Sequence, residues 1–225
     1  VQSSAAMLRS RLVALLILAI AVSSGCVRRP TDAGETLPHS EDKRHQAELV
    51  RTTRAQTDIA RAALLMETTP LSRSKRQSLL TVFNAEADAI RTKLEKKASA
   101  GVIIAALNNH FFAPEGFVAL TDLTAPENVS MAAVLSNRRG TCVGLAIVYL
   151  ALAQRVGLDA HAVATPVHLF VRVRLDGHAR NVELLEAGRE LDDDTYRRRY
   201  RIDQTSITSG VFMRDLTNAE AIAHL

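Results

Sequence analysis

The chain has 225 residues, 47% of them hydrophobic, and a formal charge of +4 from 28 basic and 24 acidic residues spread along its length. That is enough for one sizeable core. The dispersed charge, the 4% aromatic content and the absence of tryptophan argue against a nucleic-acid binder or a stacking platform for bases or sugars.

Arg9 and Arg11 precede an apolar run over residues 12–22, and the small residues Ser23, Ser24 and Gly25 then lead to Cys26. The run is too short to span a bilayer, which needs about 20 apolar residues. The pattern resembles a bacterial lipoprotein signal, in which the cysteine is lipidated and becomes the new N-terminus. Ser23 departs from the aliphatic residue usual at that place, and an ordinary cleaved signal is the alternative. Residues 27–44 contain Pro30, Gly34, Pro38 and mixed charge, and read as a flexible linker to a membrane. Val27 replaces the aspartate that often marks inner-membrane retention, which points to the outer membrane where the host has one.

From residue 45 the period becomes helical. Leu49, Ile59, Ala63, Leu64 and Met66 form one apolar stripe over residues 45–66. Leu79, Leu80, Val82, Phe83, Ile90 and Leu94 form a second over 72–97. Ile103, Ile104, Leu107 and Phe111 form a third over 102–112. A loop over 122–128 and a short helix over 129–135 lead to the stretch NRRGTCVGLAIVYLALAQRVGL at 137–158. Thr141 reads as its N-cap and Gly157 as its C-terminal stop. Nearly every residue between is apolar or small, so the helix should be buried all round. Cys142 falls in the first turn, where free backbone N–H groups and the helix dipole favour a thiolate. Arg138 and Arg139 would either strengthen that effect, bind an anionic substrate group or lie at the surface.

Short strands follow over 160–164, 167–175 and 180–185. Asp176-Gly177 between the last two predicts a two-residue type I′ hairpin. With that loop, Leu175 faces His178, Phe170 faces Glu183 and His168 faces Leu185. His168 and Glu183 are then diagonal neighbours on one face, within about 7–8 Å. Asn181 shares the face at greater distance and is a second choice of acid partner. Arg172 shares it too, and offers Glu183 a purely structural salt bridge. Asp192 to Asp194 read as the N-cap and acidic first turn of a helix with Arg197 to Arg201 on its exposed side, and carry no assigned chemistry.

The order Gly140-Thr141-Cys142, then Gly157, then His168 in VHLFVRV, then an acid after a hairpin, resembles the transglutaminase-like cysteine core of the papain-like superfamily. RRGTCVGLAIVYLALAQRVGL with PVHLFVRV, and upstream DIARAALLM and ALNNHFFAPEGFVAL, resemble the SirB1-like family more narrowly. The resemblance runs over residues 57–207 and is strongest over 136–188. It implies Cys142 as nucleophile, His168 as base and Glu183 as third member, where aspartate is usual. Many SirB1-like sequences carry proline near this point, whereas Cys142 is retained here. The expected fold is α+β, with a helical N-terminal half packed on a core of one buried helix and a small antiparallel sheet.

The expected organisation is a signal segment over 1–26, lipidated at Cys26, a linker over 27–44, a helical part over 45–135, the core over 136–210 and a helix over 211–225. The expected function is thiol-dependent acyl transfer or amide hydrolysis on a protein or peptide substrate, by a lipid-anchored envelope protein. The backbone N–H of Cys142 is a candidate oxyanion donor. The alternative is an inactive binding or scaffold module. Relatives continue into a helical-repeat region, so a protein partner could bind through a region beyond residue 225. No cofactor and no metal are expected, because Cys142 with His110, His161, His168 or His178 lacks a ligand spacing.

Overall fold

Four helices of the N-terminal half each begin at a polar cap. In the computed structural model, which describes residues 58–122, 125–175 and 177–225, these are α1 (Ile59–Leu65), α2 (Arg73–Arg91), α3 (Ala100–Phe111) and α4 (Met131–Asn137). Asp58, Ser72, Ser99 and Ser130 stand at their N-caps, and each side chain accepts a hydrogen bond from the first-turn backbone. The expected signal, Cys26, the linker and the start of the first predicted helix lie outside the described residues. All described residues belong to one unit, His39–Leu225.

Helix α2 ends at Arg91 rather than continuing to Lys97. Beyond it only Leu94 is apolar among Lys93, Glu95, Lys96 and Lys97, so a further turn has almost no face to bury. Leu79, Leu80, Phe83, Ala87 and Ile90 make the buried face of α2, and Ile104, Leu107 and Phe111 that of α3.

Helix α5 (Cys142–Val156) is the hub. Gly144 through Ala153 are all buried, and α1, α2, α3, α4 and two strands, Ala160–Ala164 and Leu169–Leu175, pack on it. Strands β3 (Ala160–Ala164), β4 (Leu169–Leu175), β5 (His178–Glu183) and β6 (Arg189–Glu190) form an antiparallel sheet in that order. A separate parallel pair, β1 (Val118–Ala119) and β2 (Arg139–Gly140), leads into α5. The architecture is the α+β arrangement that the sequence predicts.

The hairpin register is the predicted one. Leu175 pairs with His178, and the ladder runs without a bulge to Val171 opposite Val182. Strand β4 starts at Leu169, not Val167, because the backbone N–H and hydroxyl of Thr165 both donate to the carbonyl of His168 and close a tight turn over exposed Pro166 and Val167. Strand β5 stops at Glu183, where a one-turn 3₁₀ helix, Leu184–Glu186, begins.

One face of the sheet joins the main core with α5. The other carries a smaller core of Val163, Phe170, Leu191, Tyr196, Ile202 and Met213. The latter is closed by α6 (Asp193–Tyr200), with α7 (Gln204–Thr208) and α8 (Asn218–Ile222) following. The expected helix over 211–225 is helical only in α8. Met213 and Leu216 instead donate their N–H groups to Ala164 and Ala162, so this segment covers the free edge of β3. Among the described residues no helix is long and apolar enough to cross a membrane.

Candidate active site

The turn into α5 is held by close backbone approach. A Cβ on Gly144 would stand 2.6 Å from the Asn128 carbonyl oxygen, and one on Gly140 2.8 Å from Cγ2 of Val134. Both glycines therefore let α4 and the preceding 3₁₀ turn seat directly on the start of α5. Thr141 occupies the N-cap, but its hydroxyl does not cap the helix. Its backbone N–H and its hydroxyl both point to the carbonyl of Asn128, at 2.9 and 3.3 Å. The first-turn N–H groups are thus left for the cysteine itself.

Arg138 is tied away from the cysteine. Its guanidinium pairs with Glu86 and lies 5.2 Å from the ring of Phe117, while Glu86 also bonds Nε2 of His110 at 2.6 Å. Arg138 adopts a left-handed backbone at φ 53° that ends α4. Arg139 is exposed. Its neighbour in the ladder, Val118, and then Leu120, donate to the carbonyls of Arg138 and Gly140, which fixes the approach to Cys142.

Cys142, His168 and Glu183 come together in the structure. Glu183 Oε2 lies 2.8 Å from His168 Nε2 and accepts the Tyr196 hydroxyl at 3.1 Å, while Oε1 accepts the Leu185 N–H at 2.9 Å. With Nε2 on Glu183, Nδ1 is the nitrogen left for the hydrogen bond to Cys142. Burial pushes the Cys142 thiol up, but the hydrogen bond to His168, the Leu169 N–H, the imidazolium charge and the Val143 N–H together outweigh it, and the thiol sits below its ordinary range. Burial likewise disfavours the charged form of His168. Its hydrogen bonds to Cys142 and Glu183, and their negative charges, reverse this and raise it to about 9. Burial would also raise Glu183, yet bonding to His168 and its charge, Leu185 and Tyr196 hold it below the usual carboxylate range. These directions favour a thiolate–imidazolium pair backed by a carboxylate near neutral pH.

Arg172 does not reach Glu183. It is buried and donates to Asn181 Oδ1 at 2.9 Å, Asp193 at 2.6 Å, Asp215 at 3.1 Å and the Met213 carbonyl at 3.1 Å. Asn181 is consumed by the same network, since its Nδ2 donates to Leu191 O and Asp193. The two therefore fasten α6 and the segment around Met213 onto the sheet.

Sequence reading missed two residues of the site, Tyr196 and Tyr200. Rings of Phe170 and Tyr196 stack at 3.8 Å, and the Tyr200 ring lies 5.3 Å from that of His168 at an interplanar angle of 19°. Their signal was the i, i+4 spacing of tyrosines in YRRRY, which puts both on one face of α6.

Of the other described histidines, His161 bonds Asp159 at 2.8 Å and His178 is exposed at the start of β5. Among the described residues no three His, Cys, Asp or Glu side chains are grouped to hold a metal ion. A cavity of about 200 Å³ lined by Gly101, Ala105, Asn108, Arg180 and Glu190 contains none of Cys142, His168 or Glu183.

Comparison with known proteins bears on this arrangement. The chain is 26% identical over 122 residues to UPF0162 proteins of two Xylella fastidiosa strains, 9a5c and Temecula1. The match takes in 54% of this chain and 43% of theirs, so the chain spans less than half the length of the curated relatives it matches. Among solved structures it is similar to menin, crystallised to reveal the binding site for Mixed Lineage Leukemia protein, with a TM-score of 0.56, 15% identity, and coverage of 80% of this chain and 43% of that one. A TGase crystal structure is similar at a TM-score of 0.39 and 12% identity, covering 63% of this chain and 41% of that one. The model of the family described as "Transglutaminase-like superfamily" matches residues 77–225, which contain α5, the sheet and all three of Cys142, His168 and Glu183. The chain belongs to the transglutaminase-like superfamily.

Proposed function

We propose that the protein is a thiol-dependent acyltransferase or amidase, with Cys142 as nucleophile, His168 as general acid and base, and Glu183 as the group that orients and charges the imidazole. The observation that carries this reading is the buried 2.8 Å bond between Glu183 and His168 Nε2, with Cys142 hydrogen-bonded to the same ring. The thiolate attacks an amide carbonyl carbon, and the oxyanion is met by the backbone N–H of Cys142, which has no intrahelical acceptor at the first helical position. His168 Nδ1–H protonates the departing amine as the C–N bond breaks, leaving a thioester. Water or a second amine then attacks the thioester, His168 takes its proton, and the thiolate leaves. The substrate is a protein or peptide amide. The SirB1-like pattern around Cys142 and VHLFVRV supports placing the chain in that branch. The lipoprotein-like segment ending at Cys26 supports anchoring in the envelope.

The test is acylation of the full chain by aryl esters and glutamine-containing peptides, read by intact mass. The expected result is one acyl adduct on Cys142, released by water or a primary amine, absent in Cys142→Ala and slowed at least ~100-fold in His168→Ala. Acylation as fast in His168→Ala as in the natural chain would refute the assignment. For the anchor, mass spectrometry of protein expressed with its leader in a bacterium should find the mature chain starting at a lipidated Cys26. An unmodified Cys26 removes that proposal.

One observation favours a second reading, an inactive binding module. Cys142 is 5% and His168 7% exposed, so substrate must enter past neighbouring side chains. Failure of every acyl donor to label Cys142 would support that reading.

A further inference from the structure

Helix α6 is built to present two tyrosines to the His168–Glu183 pair. Asp192 caps its N-terminus by accepting from the Thr195 N–H at 2.6 Å, and Asp193 in its first turn is gripped by buried Arg172. Tyr196 is fully buried, stacked on Phe170, with its hydroxyl on Glu183. One turn further, Tyr200 is the last residue of the helix and lies partly exposed, nearly parallel to the His168 ring. Arg201, in a left-handed conformation at φ 52°, ends the helix there.

The edges of the His168 ring are committed, Nε2 to Glu183 and the other nitrogen to Cys142. What remains is its faces. A charged ring gains from an aromatic face, because the negative quadrupole of the π-system attracts a cation and an apolar cover excludes water from its hydrogen bonds. The charged and titratable groups around His168 are Cys142 from α5, Glu183 from β5, and Tyr196 and Tyr200 from α6. Nearby cations are spoken for. Arg199 bonds Glu186 at 2.7 Å and also the Tyr200 hydroxyl, and Arg172, two positions beyond Phe170, bonds Asp193 and Asp215.

We propose that Tyr200 is a positioning residue: its ring covers one face of the His168 imidazolium, keeps that ring charged and holds it between Glu183 and the Cys142 thiolate. The inference rests on the thiolate–imidazolium reading of the site. It assigns α6 to the working part of the fold rather than to its surface.

The experiment is a pH titration of His168 by NMR in the full chain with labelled histidine, its resonance assigned by its loss in His168→Ala. The natural chain should titrate at about 9. Tyr200→Leu keeps an apolar cover without the ring, and should lower that value by about 0.5–1 unit. Tyr200→Phe and Tyr200→Trp keep an aromatic face and should leave it within a few tenths of the natural value. An unchanged His168 titration in Tyr200→Leu, or an equal fall in Tyr200→Leu and Tyr200→Phe, overturns the proposal while leaving the Cys142–His168–Glu183 assignment standing. A natural chain in which His168 titrates near the ordinary ~6.5 instead overturns the ion-pair reading itself, and this inference with it.

Discussion

His168 Nε2, just before β4, and Glu183 Oε2, at the end of β5, lie 2.8 Å apart, with both side chains almost completely buried. A carboxylate in that position is stable only if the imidazole carries its charge, and the imidazole is held charged largely by the carboxylate and the thiolate.

Removing the charge from Glu183 should therefore uncouple the pair. Glu183→Gln keeps the size and one hydrogen bond but not the negative charge, so His168 should titrate at least one unit lower. Acylation of Cys142 at pH 7 should then fall ~10-fold or more. Glu183→Asp is a second probe: it shortens the side chain by a methylene and should lengthen or lose the 2.8 Å contact. Equal acylation rates in the natural chain and Glu183→Gln would exclude a charge role for Glu183.

Stability should follow the same pair. The folded value of His168, about 9, is above its ordinary value, so its contribution is full below ~6.5 and is lost as pH rises through about 9. The depressed thiol of Cys142 contributes in the opposite sense, above its unfolded value, and its contribution is lost as pH falls through its folded value. Below ~8.5 the two slopes oppose each other, and as pH rises from there through about 9 only the His168 loss remains, so the natural chain should lose stability. Urea unfolding of the natural chain and His168→Gln over that range checks it. Parallel curves for the two would count against the pair.

Tyr196→Phe removes one of the donors that hold Glu183 ionised. Glu183 has a depressed value, so its stabilisation is present above ~4.3 and is lost as pH falls through the folded value. The loss starts near ~4.3 in both proteins but should be smaller, and complete at a higher pH, in Tyr196→Phe, which should be about 1 kcal/mol less stable at neutral pH. Urea midpoints at pH 4 and pH 7 distinguish this from a uniform packing defect, which would cost the same at both.

Gly144→Ala tests the seating of α5. Its Cβ would meet the Asn128 backbone oxygen and Val134, neither of which can retreat freely. A loss of about 1–3 kcal/mol is expected, read as a lowered melting temperature. Gly157→Ala has open space around it but a φ of +79°, so any cost there reports backbone strain alone.

Much of this was legible in the residues. The apolar run from Gly144 to Ala153 announced a buried helix, and Asp176-Gly177 with the alternation of 167–175 gave the hairpin register that puts His168 beside Glu183. Other features depended on tertiary partners that local patterns do not display. Thr141 reads as a capping hydroxyl, yet a carbonyl thirteen residues earlier takes its proton. Arg172 reads as a salt-bridge partner for Glu183 on the same face, but Asn181, Asp193 and Asp215 converge on it from later segments. Residues 213–216 read as the start of a helix, and the unsatisfied edge of β3 claims their N–H groups instead. Tyr196 and Tyr200 were masked by the arginines between them, which make α6 look like a solvated surface helix.

The most direct test of the site is the pH dependence of Cys142 alkylation by iodoacetamide in the natural chain and in His168→Ala. With a thiolate held by His168, the natural chain should react well below the ~8.5 at which a free thiol titrates, and His168→Ala should return to that value or higher. A thiol that titrates near ~8.5 in both proteins would contradict the ion pair and the function built on it.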